Sequence, residues 1–584
     1  MGSSERQAEM SRSGTATERE RPGAAEPEGA LGSVVPAEVV PGPGVVRPSV
    51  VQPSERDVAP VWWRVPLIVT AVALPFHLVW ALWLATGGGD LAAQFAWTGF
   101  TREHPGSAYN LSWYGGMHTV NYSVLAPPLM AVFGVRAVSV AAALVGTWAM
   151  ARLVVRSGVR WPVWPALMGA AVIWCNIASG RTTFTLGLAI GLVALLYVRR
   201  PALAALGAAL ATLASPVAGL FLVVMGAAWL LERRWARAAA LLVPPALVVG
   251  ATTVLFPFSG EMPMPSGKLW LPLLVSATVA VAAPRERAWR VVRYGAGIYG
   301  LGVVLTYLIP TPIGTNVERL AGLAGPVVLL AAVLTVFDGV PASAWWQRSR
   351  AGLSRLLLVA VLLVNVSWLG DKTEDDLAVS TVVPSWAKET DGVVRELERL
   401  GADRMRVEVV PARNHREATV LAPHINMARG WNRQLDKERG RLFYDGSLSE
   451  ESYRQWLDRW AVGLVVLPHG RIDGPAEGEA EIVRSEPEWL ERVWSDAGWT
   501  IFRVRDAVPL VSSPGAAVGG DAGSLLVRMP SAGSVTVRVA YSPWLRADGA
   551  CLRQEGEYTR LTVERAGEYR LGSGYGMRFR DDSC

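Results

Sequence analysis

The sequence predicts an α-helical polytopic membrane protein of about eleven spans, followed by a water-exposed C-terminal domain that is first α/β and then β-sandwich-like. Three observations predict it. Apolar residues are gathered into one stretch, about 61–370. Within it, runs long enough to cross a bilayer alternate with short Arg clusters. Beyond it, the chain returns to a soluble mixture with strand-like alternation. The averages, 51% hydrophobic and 18% charged over 584 residues, lie near globular norms, so distribution and not composition divides the chain.

Residues 1–60 are rich in Glu, Arg, Pro, Gly and Ala. They offer too little apolar surface to offset their ordering entropy, so a disordered tail is expected. No long apolar run precedes Val65, which is too late for a secretory signal, so the first helix is expected to stay as an anchor. A pI of about 9.3 is high enough to raise nucleic acid as a partner. However, most Arg residues between 150 and 360 lie between apolar runs, so topology accounts for the basicity and no nucleic-acid partner is expected. Cys175 falls in an apolar run and reads as packing. Cys551 and Cys584 either pair or stay as two thiols. No Cys/His spacing resembles a zinc site, and neither metal nor cofactor is expected.

Spans are expected near 65–86, 134–155, 162–179, 182–198, 201–214, 216–231, 238–256, 268–283, 291–309, 317–337 and 352–370. The fifth and sixth meet at Ser215-Pro216, where proline disfavours helix in the preceding residue, and a hairpin is expected there. Arg199/Arg200 before that pair and Arg233/Arg234/Arg237 after it require both ends on one side. With the N-terminus and Arg64 in the cytoplasm, Arg152/Arg156/Arg160, Arg285/Arg287/Arg290/Arg293 and Arg348/Arg350/Arg355 also fall inside. An odd number of spans then puts residues 371–584 outside the cytoplasm, and a plasma-membrane location is expected.

The first outer loop, about 87–133, opens with Gly87-Gly88-Gly89-Asp90. Asp90, Gln94, Thr98, Thr101 and Arg102 recur at helical spacing beside an apolar face of Ala93, Ala96, Trp97 and Phe100. This predicts an amphipathic helix lying in the membrane interface. Tyr109 through His118, then Asn121-Tyr122, add a dense aromatic and polar run that reads either as a ligand surface or as an aromatic belt. Asn316, Glu318 and Arg319 open the tenth span, and Arg181 sits in a very short outer turn. Ionisable groups at membrane depth are functional candidates. Equally, Glu318 suits a helix dipole, Arg319 can snorkel, and Asp90 suits an N-cap. Glu261 and Lys268, in the Pro-rich loop 257–268, read as solvated.

One carboxylate among cations and aromatics suits transfer chemistry at a membrane face. Asp90 is the candidate general base toward a sugar hydroxyl. Arg181 or Arg319 would hold a lipid phosphate as its charge develops. Arg102, His118, Asn121, Tyr122, Asn316 and Glu318 complete the candidate substrate-binding set. In Gly89-Asp90 just after the first span, Trp113-Tyr114-Gly115-Gly116 and Asn121-Tyr122, the layout resembles the GT-C glycosyltransferases, in particular actinobacterial-type arabinosyl- and mannosyltransferases. It also shares its layout with membrane proteins of the YfhO type. The resemblance covers about 65–370 and implies Asp90 as the catalytic acidic residue, where many relatives carry an acidic pair. It implies an inverting hexosyl- or pentosyltransferase working in the lipid bilayer, with a polyprenyl-phosphate sugar as donor and a cell-envelope glycan or glycolipid as acceptor. A non-catalytic assembly or binding protein and a transporter are the alternatives. A transporter predicts mid-bilayer charges and repeated halves, and neither is evident in the sequence.

In the C-terminal part, 371–514 reads as α/β and 515–584 as β-sandwich-like. An amphipathic helix is expected at 385–400, strands at 407–410, 464–467 and 499–504, and a helix face at Trp489, Val493 and Trp494. Further strands are expected at 524–529, 534–541, 558–564 and 568–572. Met427 to Gln434, through to Asp445, is rich in Arg, Trp and amides, suiting carbohydrate or phosphate contact or docking onto the helices. His415, His424 and His469 read as structural or solvated.

Overall fold

A computed structural model describes residues 61–336 and 343–576. The tail 1–60 and Cys584 lie outside the described residues. Each expected span is met by a helix. These are α1 (Val61–Val79, continued by the π-helical turn Trp80–Leu84), then, after α2 (Asp90–Glu103) and α3 (Ala126–Phe133), α4 (Val135–Arg156), α5 (Val163–Ala178), α6 (Thr182–Leu196), α7 (Pro201–Ala214), α8 (Pro216–Leu231), α9 (Trp235–Leu255), α10 (Trp270–Ala282), α11 (Arg290–Leu308), α12 (Glu318–Thr335) and α13 (Trp345–Ser380). Six stretches are long and apolar enough to cross a membrane, and five shorter apolar helices accompany them. Their outward faces stay apolar. Only 17% of the most apolar window of α13 is buried, and Trp83, Phe133 and Leu247 are exposed.

Ser215 is extended and Pro216 opens α8, so the chain reverses between α7 and α8. A Cβ at Gly219 would meet Thr212 across that turn. α13 runs ten residues beyond the expected end of the last span, because Asp371 to Asp376 continue the helix as a charged segment. α3 is an element that the sequence reading missed. Leu125 and Pro127-Pro128 start it, and Gly134 (φ 86°) ends it.

The C-terminal part begins with α14 (Ser385–Lys388) and α15 (Asp391–Arg399), so the expected single helix is broken at Glu389-Thr390. There follow β1 (Arg406–Val409), α16 (Glu417–Val420), α17 (Arg433–Arg439), α18 (Glu450–Arg459), β2 (Val462–Pro468), α19 (Glu477–Arg484), β3 (Leu490–Ser495) and β4 (Trp499–Val504). The sheet order is β1-β2-β4-β3, parallel only between β1 and β2. All seven residues of β2 are buried, because apolar clusters cover both faces of the sheet. The helix expected at Trp489, Val493 and Trp494 is instead β3. Its register shifts between Arg492 and Trp494, which lets a strand mimic helical spacing. β5 (Ala516–Gly520), β6 (Leu525–Met529), β7 (Gly533–Ala540), β8 (Leu545–Ala547), β9 (Ala550–Glu555), β10 (Tyr558–Val563) and β11 (Gly567–Ser573) complete the chain. They form the sheets β7-β10-β9 and β5-β6-β11-β8 around one shared core. Cys551 is disulfide-bonded and Cys175 is free.

The segment between α1 and α4 joins these parts. Trp97, Trp113, Tyr114 and Met117 share a core with Val407, Leu464, Trp499 and Ile501 of the first sheet. Tyr109 and Leu111 enter the core of the two β-sheets. The aromatic run is therefore buried against protein rather than forming a belt, and α2 lies between the helical bundle and the C-terminal sheet rather than on an open interface. Each buried aromatic removes a large apolar area from water, on the order of 2–3 kcal/mol per ring. A Cβ at Gly430 would collide with the Trp113 indole, so only glycine allows that approach.

Candidate functional site

Asp90 stands where α1 gives way to α2. Gly87 (φ 96°) and Gly89 (φ 62°) occupy the left-handed region that glycine tolerates. Gly89 N donates to Asn414 O at 2.7 Å, and Trp431 Nε1 donates to Gly89 O at 3.1 Å. Arg416 locks the same turn, donating to Thr86 O at 2.6 Å, Thr86 Oγ1 at 2.7 Å and Ser380 O at 2.6 Å. The N-cap of α2 is Gly89, and no side chain caps the helix. The N-cap expectation for Asp90 is therefore not met: it is the first helical residue, and it lines open space.

That space consists of two cavities sharing Asp90, Thr315, Asn316 and Arg319. The larger, about 570 Å³, has an apolar side built by α8 and α9 from residues such as Val217, Leu220, Val223 and Val249. Its other side carries Gln94, Trp97, Asn121, Tyr122 and the run Trp431 to Gln434. Burial pushes the Tyr122 phenol up, with Arg319 opposing and Asp90 reinforcing, so Tyr122 stays a neutral hydroxyl beside Arg319. The smaller cavity, about 260 Å³, gathers Arg181, Lys268, Arg319 and Lys372 with Glu318 and Asp376. Arg181 pairs with Asp376 at 3.1 Å. Among the described residues, Lys268, Arg319 and Lys372 make no ion pair within 4.0 Å. Glu318 is 6% exposed and its Oε1 has no hydrogen-bond partner. The arrangement can hold an anion in one compartment while a carboxylate at the junction accepts a proton.

The structure thus brings together Asp90, Arg181, Asn316, Glu318 and Arg319, and adds Asn121 and Tyr122 on the larger side. It places Arg102 and His118 elsewhere. Arg102 reaches Ala131 O, and His118 is enclosed by Tyr109, Phe256 and Ser542. Burial lowers the His118 imidazole to about 4, so it is uncharged at neutral pH. Lys268, read as solvated, lines the cationic cavity. Lys372 and Asp376 were missed because the last helix was ended at residue 370; their i,i+4 spacing was the available signal. The run 427–434 docks onto the first loop, as one of its two readings expected, and part of it also lines the larger cavity. Gly430 O and Asn432 N bond the Tyr114 hydroxyl, and Trp431 to Gln434 line the larger cavity. Among the described residues, no group of His, Cys, Asp and Glu is placed to hold a metal ion. No protein-family model matches the chain, and no curated protein matches it.

Proposed function

We propose that the chain is an integral membrane glycosyltransferase. It takes a sugar from a polyprenyl-phosphate donor and passes it, with inversion, to a cell-envelope glycan or glycolipid on the non-cytoplasmic side of the plasma membrane. In this reading the six long and five shorter apolar helices are eleven spans. The N-terminus is cytoplasmic and the C-terminal domain is outside. The apolar outward faces and the Arg-rich ends of alternate helices support it.

The observation that carries the proposal is Asp90 at the junction of an apolar-walled cavity and a cationic one. The isoprenoid chain lies along α8 and α9, and Arg319, with Arg181 behind it, holds the phosphate. An acceptor hydroxyl attacks the anomeric carbon from the face opposite the phosphate. The bond from that carbon to the phosphate oxygen breaks, its electron pair leaves with the phosphate, and Asp90 takes the hydroxyl proton. The cations stabilise charge where it grows. The test is transfer from radiolabelled polyprenyl-phosphate sugars to cell-envelope extract by the purified full chain. Asp90→Asn is expected to lower transfer by at least roughly a hundredfold. Normal envelope glycan in a strain carrying Asp90→Asn at full protein level would sink the proposal.

A further inference from the structure

The larger cavity carries five side-chain amides: Gln94, Asn121, Asn316, Asn432 and Gln434. Each spends one end on the protein. Gln94 Oε1 accepts from Thr183, and Asn432 Oδ1 accepts from Leu435 N at 3.2 Å. Asn121 Nδ2 donates to Pro257 O at 3.4 Å, Asn316 Nδ2 to Ile313 O at 2.9 Å, and Gln434 Nε2 to Pro312 O at 3.4 Å. The other ends (two NH₂ groups and three carbonyl oxygens) have no partner among the described residues. Amides left half-used around a cavity call for a ligand that both donates and accepts. Sugar hydroxyls do both. Aromatic rings stand beside them, with Trp97 and Tyr122 4.4 Å apart and Trp431 held against His415 at 3.5 Å.

Charge narrows the ligand. Arg433, which also lines the cavity, is neutralised by Asp473 at 2.7 Å. That leaves Asp90 and Arg319, which the transfer reaction uses. The amides lie on the polar side of the cavity, across from the α8–α9 wall given to the isoprenoid chain, and the whole space, about 570 Å³, falls in the range of roughly 300–1,000 Å³ typical of small-ligand sites. We infer that Trp431, Asn432 and Gln434, contributed by the C-terminal domain, form with Gln94 and Asn121 the binding site for an uncharged acceptor glycan. The C-terminal domain is then part of the site rather than an appendage. The inference deepens the transferase reading and rests on it for the word acceptor.

The test uses the full chain in nanodiscs and fluorescent tetrasaccharides: neutral hexose, neutral pentose, and a matched uronic-acid probe. Binding is read by thermophoresis. At least one neutral probe is expected to bind saturably, with the uronic probe about tenfold weaker. Gln434→Ala and Asn432→Ser are each expected to weaken the neutral probe about tenfold. Asn432→Ser keeps an N-cap for α17, and an unchanged melting temperature shows that the variants fold. Equal binding by parent and variants, or preference for the uronic probe, would overturn the inference. Binding that depends on Asn432 and Gln434 with no transfer by the parent chain leaves the glycan site standing and removes the transferase. Transfer undiminished in both variants does the reverse.

Discussion

At the scale of single residues, two carboxylate environments behave oppositely. Asp90 is free of the cap role and open to a cavity, so Asp90→Asn is expected to cut transfer by roughly 10²–10⁴ while leaving expression unchanged, as removal of a general base does. The buried group around Arg429 is structural. Arg429 donates to Asp436 at 2.8 and 2.9 Å and to Glu479 at 2.6 Å, with Glu408 at 3.7 Å. Burial would raise Asp436, but the charge and hydrogen bonds of Arg429 outweigh it and hold the carboxyl below its usual range. Glu408 is pushed well above its usual range by burial, then by the neighbouring Glu479 charge. Glu408 therefore takes up a proton on folding. Its contribution is full below the unfolded value of about 4.3 and is lost as pH rises toward the folded one. Asp436 works the other way, and its contribution is lost as pH falls. Glu408→Gln is expected to raise the melting temperature more at pH 8 than at pH 4.5, followed by circular dichroism on the full chain. An equal gain at both values would rule this out. Arg429→Met strands three acidic groups and is expected to destabilise by about 3–5 kcal/mol, read by chemical unfolding of the same chain.

At the scale of elements, the turn before α2 is where several parts of the fold meet. A Cβ at Gly88 would lie 2.7 Å from Ser380 O and 3.0 Å from Arg416 Nη2. Gly88→Ala is expected to shift Asp90 and lower the transfer rate at least about tenfold with little change in donor affinity, since small misplacement costs rate steeply. A rate equal to the parent's would show that the turn does not position the carboxylate. How much of this was legible depends on the period of the signal. The apolar helices were legible to within a few residues because length and hydropathy define them, and Pro201 and Pro216 mark two starts directly. Asp90 was legible from its place after the first helix. The seam was not, because burial of Trp113 and Tyr114 depends on contacts with residues three hundred positions away, such as Gly430. The β3 strand was not, because its register shift hides the period of two. The short, Gly-rich β5 and the three-residue β8 carry too few residues for any period to show.

At the scale of the whole molecule, the proposal depends on the number of crossings. The turn at Ser215-Pro216 sets α7 and α8 side by side and makes the apolar helices odd in number. In the proposed reading the Arg-rich ends are cytoplasmic, and the C-terminal domain is then expected outside, on the same side as Asp90. The structure supplies a second reason to expect this. Arg416, Trp431 and Arg439 of the C-terminal domain bond Thr86, Gly89, Tyr114 and Gly116, so that domain and the first loop must share one side of the membrane. Two variants, each with one cysteine added on a Cys175→Ser background, test it. Glu564→Cys places a thiol on an exposed turn of the C-terminal domain, and Glu286→Cys places one in the Arg-rich connection before α11. A membrane-impermeant maleimide is expected to label the first in intact cells and the second only after permeabilisation. Parent Cys175→Ser protein, with Cys551 disulfide-bonded, gives the background. Labelling of Glu286→Cys but not Glu564→Cys in intact cells would invert the topology. It would put Asp90 in the cytoplasm and remove the polyprenyl-phosphate donor's access to the site from the outer leaflet.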